Sequence, residues 1–251
     1  MNTKEIAEIA IRAGEILLCS GAEIYRVEDT ILRIFRSYNV ECECFVLLTG
    51  IFISAEGTDG ETVTVIKRLK GHTINLHRID LVNTFSRNLE IHPLPYSEAM
   101  GILKTIQNAP SYSFYSKLGC AGLTAFVYTL LFKGKLLDAC AALIISMVIF
   151  TIKEKMSEIG LVQFFEFFIS GLLAGTLSLI ATLLFPILDV YKIIIGAIMI
   201  LVPGVAITNG IKDALYGDTV SSLYRISEAA FISVAIGAGV GIVLSVGIKF
   251  I

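Results

Sequence analysis

From about Ser113 to Ile251 the chain is a succession of long apolar segments, whereas the stretch before it alternates charged and apolar residues as a water-facing domain does. A run of ~20 apolar residues crosses a hydrocarbon core of ~30 Å, and inside that core only structures that satisfy their own backbone groups are stable. The sequence must therefore fold in two solvents. Composition points the same way. With 55% hydrophobic residues and a mean hydropathy of +0.78, a soluble globule of 251 residues would carry large exposed apolar patches.

The first part reads as a small α+β domain, residues 1–110, on the cytosolic side. Ile6, Ile9, Ala13, Ile16 and Leu17 recur at helical spacing, with Glu5, Glu8, Arg12 and Glu15 among them. Those charges also exclude an apolar signal-peptide core. The helix is expected to stop at Ser20-Gly21. A second helix, with Ile24, Val27, Ile31, Ile34, Phe35 and Tyr38 as its stripe, closes at Asn39. Strand-like segments follow at 41–47, 50–55 and 62–69, with turn chemistry at Gly57-Thr58-Asp59-Gly60. Two helical segments, 76–89 and 97–106, lead to a boundary at Asn108-Ala109-Pro110-Ser111.

The second part, 111–251, reads as an all-α bundle of five transmembrane helices: 113–132, a short 136–152, 161–185, 191–207 and 228–250. Lys133-Gly134-Lys135 turns the chain between the first two, and Lys153, Glu154, Lys155 and Glu158 mark a loop after the second. Lys/Arg bias between loops is weak, so orientation rests on the first domain. Gly171-x-x-x-Gly175 and Gly237, Gly239 and Gly241 have close-packing spacing, which serves either the bundle itself or a second subunit.

The densest polar stretch among the apolar segments is Leu201 to Ala229. Pro203-Gly204 breaks or kinks the fourth span, since proline lacks the helix donor and clashes with the preceding turn. Broken helices at membrane depth mark substrate sites in transporters. Thr208 and Asn209 add hydrogen-bonding groups, and Asp213, Asp218, Arg225 and Glu228 add charge. Charged groups at that depth are costly enough to suggest function, although a kinked helix and a solvated loop give the same pattern. Asp138 is a proton-coupled carboxylate or a headgroup-level residue; Glu166, between Phe165 and Phe167, is the better intramembrane candidate, or equally a residue near the cytosolic interface. The segment 20–31 carries Glu23, Arg26, Glu28 and Asp29, with Glu23–Arg26 and Asp29–Arg33 spaced to pair. By itself it is a salt-bridged solvated face.

Several classes are disfavoured. A net charge of −2 gives no reason to expect nucleic acid. Cys19, Cys42, Cys44, Cys120 and Cys140 have no metal or redox spacing. His72, His77 and His92 lack ligand spacing, Gly71 forms no phosphate loop, and no nucleophile–base set is visible. Neither a cofactor, nor a metal, nor an enzyme activity is expected. The alternative is a membrane-anchored sensor or enzyme acting through its cytosolic domain.

Two motifs carry a resemblance: SGAEIYRVEDTILRI at Ser20–Ile34, and LVPGVAITNGIKDALYGD at Leu201–Asp218 followed by Arg225 and Glu228. The chain resembles the threonine/serine exporter family along nearly its whole length, and more closely the type that stands alone as the N-terminal half. Ser221-Ser222 and Gly210-Ile211-Lys212 depart mildly from the usual pattern, Ser-Gly and Ala-Ile-Arg. The resemblance implies a proton-gradient-driven exporter or antiporter of small polar metabolites in the plasma membrane: threonine, serine or small dicarboxylates. It implies a second small multi-span subunit like the C-terminal half as partner; self-association into a homo-oligomer stays open. It makes Pro203, Gly204, Thr208, Asn209, Asp213, Asp218, Arg225 and Glu228 the translocation candidates. Asp213 or Asp218 would accept the substrate ammonium, and Arg225 or backbone amides freed at Pro203 would bind its carboxylate. Glu23, Arg26, Glu28, Asp29, Asp138 and Glu166 become coupling or gating candidates.

Overall fold

A computed structural model describes residues 1–57, 60–69, 71, 73–110 and 112–247. The expected turn residues Thr58 and Asp59, and His72, lie outside these. Among the described residues the chain is mostly helical, with one small sheet. It divides into two compact units, 1–111 with 208–225, and 112–207 with 226–251.

In the first unit, α1 (Thr3–Cys19) starts in a capping box: the Asn2 side chain accepts the Glu5 N–H, and the Glu5 carboxylate accepts the Asn2 N–H. It buries Ile6, Ile9, Ala13, Ile16 and Leu17, the expected stripe. The chain then turns through Gly21, at φ +85°, where a side chain would be strained. In α2 (Ile24–Ser37) Ile24, Val27, Ile31, Ile34 and Phe35 face inward. Strands β1 (Cys42–Leu47), β2 (Gly50–Glu56) and β3 (Thr62–Arg68) form an antiparallel meander in the order β1-β2-β3. Val46, Ile51, Ile53 and Ala55 turn into a core shared with α1 and α2. Gly14 lets α1 approach: a Cβ there would lie 3.0 Å from Ile51 Cδ1 and 3.1 Å from Ile31 Cδ1. Helices α3 (Leu76–Ile91) and α4 (Tyr96–Gln107) add Val82, Leu89 and Leu103 to that core. Each such large apolar side chain contributes about 1.5–3 kcal/mol when fully buried.

The second unit contains α5 (Phe114–Leu131), α6 (Leu136–Glu158), α7 (Gln163–Leu184) and α8 (Val190–Ile198), which a single 3-10 turn (Met199–Leu201) extends. Helices α9 (Gly204–Leu215) and α10 (Thr219–Gly247) follow. Among the described residues four helices are long and apolar enough to cross a membrane: α5, α6, α7 and α10. The pair Val190–Leu201 and Gly204–Leu215 is apolar enough when taken together and is bent by 58°, the form of a broken span or of a re-entrant loop. The bend falls at Pro203, as its missing donor requires.

Two expectations need correction. The second span is not short, because α6 has 23 residues and runs through the expected loop to Glu158. Its charged end is held in place: Lys153 Nζ sits 4.9 Å over the Phe167 ring, Glu154 pairs with Lys117 at 3.3 Å, and Lys155 suits the negative helix end. The last helix begins at Thr219 rather than near Glu228, so Arg225 and Glu228 are helical, and the Ser222 N–H already bonds the Asp218 carbonyl. Of the patterned glycines, Gly171, Gly175 and Gly239 serve packing within this chain, whereas Gly237 and Gly241 meet nothing within 4 Å. A Cβ at Gly171 would lie 2.5 Å from the Ile236 carbonyl, and one at Gly175 3.0 Å from Val243, both on α10.

Candidate functional site

The two motifs that the sequence sets ~190 residues apart meet in the first unit, where the α9–α10 hairpin clasps the turn between α1 and α2. Three side chains of the hairpin read three backbone groups of that turn. Asn209 Nδ2 donates to the Gly21 carbonyl at 2.9 Å. Arg225 Nη2 donates to the Ala22 carbonyl at 2.7 Å. The Ile24 N–H donates to Asp213 Oδ1 at 3.1 Å. Arg225 Nε closes the set by donating to Asp213 Oδ2 at 2.9 Å.

Local structure explains this recognition. The first N–H groups of a helix have no intrahelical acceptor, and Glu23, the N-cap of α2, makes no side-chain cap. Asp213 takes that role from a distant helix, against the positive end of α2. Asn209 and Asp213 are four residues apart and share one face of α9. Arg225 reaches them from the second turn of α10. Asp213 is completely buried, and Arg225 and Asn209 nearly so. A buried ion pair is tolerated only with good geometry and further hydrogen bonds, and the turn's backbone supplies those.

A second layer lies beside the buried pair. Glu23 is buried and paired twice, with Lys212 Nζ at 2.9 Å and with Arg26 Nη1 at 3.2 Å. Burial alone would raise the Glu23 carboxyl; the Lys212 hydrogen bond and the nearby positive charges outweigh it and hold the group below the ordinary carboxylate range. The Tyr25 and Tyr216 rings stack at 4.0 Å. Lys212, Tyr25 and Tyr216 are members of the cluster that sequence reasoning misses. Tyr25 adjoins Arg26 and Lys212 adjoins Asp213, but no spacing signals a contact across ~190 residues.

The other candidates fall elsewhere. Asp218 is half-buried; its N–H closes α9 onto the Asp213 carbonyl at 2.8 Å, after Gly217 at φ +95°. Burial, then the Asp213 charge, pushes its carboxyl up. Glu28 accepts the Val46 N–H at 3.1 Å, fixing α2 to β1; burial and then Asp218 raise it. Asp29 pairs with Arg33 at 2.6 Å, as the helical spacing implies. Thr208 is exposed.

The remaining five belong to the second unit. Pro203 and Gly204 form the break in the bent span. Asp138 is buried and joins two helix starts: it accepts the Lys135 N–H at 2.8 Å and the Asp189 N–H at 2.9 Å, and Asp189 in turn caps α8. Glu166 is buried in the first turn of α7, and its side chain has no hydrogen-bond or ion-pair partner among the described residues. Glu228 is half-buried on α10 and likewise unpaired there.

Residues 8–247 match the family model of the threonine/serine exporters, so both halves of the cluster fall within the match. A Mycobacterium tuberculosis protein named "Probable threonine/serine exporter" is 23% identical over 244 residues, covering 96% of this chain and 46% of its own length. The chain thus spans about half the length of that curated relative. No solved structure matches.

Proposed function

We propose that this chain, which belongs to the threonine/serine exporter family, is one half of a proton-coupled exporter of threonine, serine or small dicarboxylates in the plasma membrane. The first unit is its cytosolic face. A second multi-span subunit, equivalent to the part of the longer relative that this chain does not cover, completes the transporter. The chain acts by binding and moving a substrate rather than by converting one.

The observation that carries the reading is the Asp213–Arg225 pair bound to the α1–α2 turn. Ala22 offers Arg225 a carbonyl oxygen, and Ile24 offers Asp213 an N–H donor. A zwitterionic amino acid presents the same two elements, an anionic acceptor and a cationic donor, only charged. Charge-assisted hydrogen bonds are about twice as strong as neutral ones. A substrate therefore competes with the turn for the same pair: its carboxylate takes Arg225, its ammonium takes Asp213, and the turn is released. In this cycle the turn acts as a gate that occupies the site when substrate is absent. The Glu23–Lys212–Arg26 group and the Tyr25–Tyr216 stack steer its movement, and Asn209 holds Gly21 as its fixed end. Asp218, Glu28, Glu166 and Glu228 are the candidate carboxyls left to carry the coupled proton. A dicarboxylate would engage Arg225 and Lys212 and leave Asp213 on the turn.

Efflux of preloaded labelled threonine, serine and succinate tests this, with the chain expressed alone and beside a candidate small partner. Efflux that needs both chains and is lost in Asp213→Asn, with the variant still present in the membrane, supports the reading. Undiminished efflux in Asp213→Asn overturns the assigned site.

A further inference from the structure

The turn between α5 and α6 meets the start of α8 at one end of the second unit. Asp138 ties the two together, accepting the Lys135 N–H at 2.8 Å and the Asp189 N–H at 2.9 Å. Asp189 in turn accepts the Tyr191 and Lys192 N–H groups at 3.0 and 3.3 Å. The approach is close: a Cβ at Gly134 would lie 3.4 Å from Lys192 Cβ. Lys133 and Lys135 flank that glycine, so three lysine stems leave from one small area.

Charge there is unbalanced. Lys133 and Lys135 are exposed and Lys192 is half-buried, and none has an ion-pair partner among the described residues. Asp138 is buried and spends both oxygens on backbone N–H groups. Three lysines against two aspartates leave one net positive charge, and the starts of α6 and α8 add about half a unit each. Lys135 and Lys192 thus stand at helix ends that disfavour cations. At the opposite end of α5 and α6 the lysines are compensated within the chain. Lys117 pairs with Glu154 at 3.3 Å, Lys153 covers the Phe167 ring, and Lys155 lies at the negative end of α6.

The surroundings indicate which anion fits. Because α5 and α6 are long and apolar enough to span, the turn joining them lies at a membrane surface. Tyr128, Phe132 and Tyr191 are exposed near the lysines, and such aromatic side chains suit headgroup depth. Leu131 and Leu136 are exposed on either side of the turn and give acyl chains an apolar surface. We propose that Lys133, Lys135 and Lys192 bind the phosphate of an anionic phospholipid headgroup, with its acyl chains along Leu131 and Leu136. Lysine suits this role, since its ammonium is a point charge for phosphate and its stem stays beside apolar surface. Free phosphate would meet the same ammonium groups but leave the apolar surface unused. A zwitterionic headgroup would leave the net charge in place.

The test takes the full chain in detergent and adds phosphatidylglycerol, phosphatidylcholine with the same acyl chains, or inorganic phosphate. Native mass spectrometry reads bound lipid, and the unfolding midpoint reads stabilisation. Phosphatidylglycerol is expected to stay bound and raise the midpoint, phosphatidylcholine to do so less, and inorganic phosphate not at all. Each lysine near anionic lipid contributes about fivefold in affinity. Lys133→Gln, Lys135→Gln and Lys192→Gln together should therefore weaken phosphatidylglycerol binding about a hundredfold. Lys4→Gln, Lys104→Gln and Lys155→Gln together remove the same charge at exposed positions elsewhere and should leave binding unchanged. Without lipid the first triple variant should melt no lower than the parent, since its lysines have no partner to lose. Equal phosphatidylglycerol binding by the two triple variants overturns the proposal. So does phosphatidylcholine bound as tightly as phosphatidylglycerol, or inorganic phosphate raising the midpoint as much. A first triple variant that melts below the parent without lipid also overturns it, because the lysines would then serve the chain itself. None of these readouts depends on transport.

Discussion

Asp213, on α9, accepts the backbone N–H of Ile24 at the first turn of α2, 189 residues earlier in the chain, at 3.1 Å. Arg225 compensates its charge at 2.9 Å and bonds the Ala22 carbonyl one peptide away from that N–H's own unit. One turn of backbone and one ion pair therefore satisfy each other. Either partner left alone would be a buried charge.

That arrangement fixes how paired substitutions should behave. Removing one member of a buried ion pair costs about 3–5 kcal/mol, whereas replacing both can be close to neutral. Asp213→Asn and Arg225→Gln should each lower the thermal unfolding midpoint of the purified chain in detergent by several degrees. The double variant should recover most of the loss, since the asparagine amide oxygen introduced by Asp213→Asn can still accept the Ile24 N–H. Additive losses would mean that the two side chains do not depend on each other.

Asn209 is a smaller contributor to the same clasp. Its single bond to Gly21 predicts a loss of about 1 kcal/mol for Asn209→Ala. The replacement should also raise limited-proteolysis cleavage at Gly21–Glu23 more than elsewhere in the first unit. Uniformly raised cleavage would show that Asn209 supports the whole unit and not this turn.

Both halves of the clasp were legible in the sequence as separate motifs, and their contact was not. Periodicity gave α1 and α2, alternation gave β1 and β3, a short β-branched run gave β2, and proline chemistry gave the break at Pro203, because each of these is a local property. Glu23 and Arg26 could be paired from helical spacing, but the second partner of Glu23 is Lys212, which tertiary folding alone supplies. Charge misled at Lys153–Glu158 and at Thr219–Glu228. There the helices continue because Phe167, Lys117 and Asp213 give the charged side chains partners. Asp138, in which a proton carrier or a headgroup-level residue could equally be read, accepts backbone N–H groups at two helix starts, a role invisible without α8.

The pH response should divide the carboxyls of the first unit into two kinds. Burial and then Asp218 raise Glu28, and burial and then Asp213 raise Asp218. A raised carboxyl favours the folded state below its ordinary range and loses that contribution as pH rises through the raised value. Glu28→Gln and Asp218→Asn should therefore unfold at higher temperature than the parent near neutrality, with the gap closing in acid. Glu23 is held low, so its contribution is present above the ordinary carboxylate range and disappears as pH falls through the lowered value. Glu23→Gln should be less stable than the parent near neutrality and equal to it in acid. Parallel melting curves across pH for these variants would contradict the assigned shifts.

The glycines of α7 and α10 give a contrast within one unit. Gly171 faces the Ile236 backbone, where an added Cβ would come within 2.5 Å of a carbonyl oxygen. Backbone cannot rotate away as a side chain can, so the helices must separate. Overpacking of this kind costs about 1–3 kcal/mol. Gly237 meets nothing within 4 Å, and replacing an unconstrained helical glycine by alanine gains up to ~1 kcal/mol. Gly171→Ala should accordingly lower the unfolding midpoint in detergent, and Gly237→Ala should hold or raise it. The same pair separates packing within the chain from packing against another subunit. If α7 and α10 pack as described, the Gly171→Ala defect appears in the isolated chain. If Gly171 served another subunit instead, the isolated variant would melt like the parent and only the assembled complex would suffer.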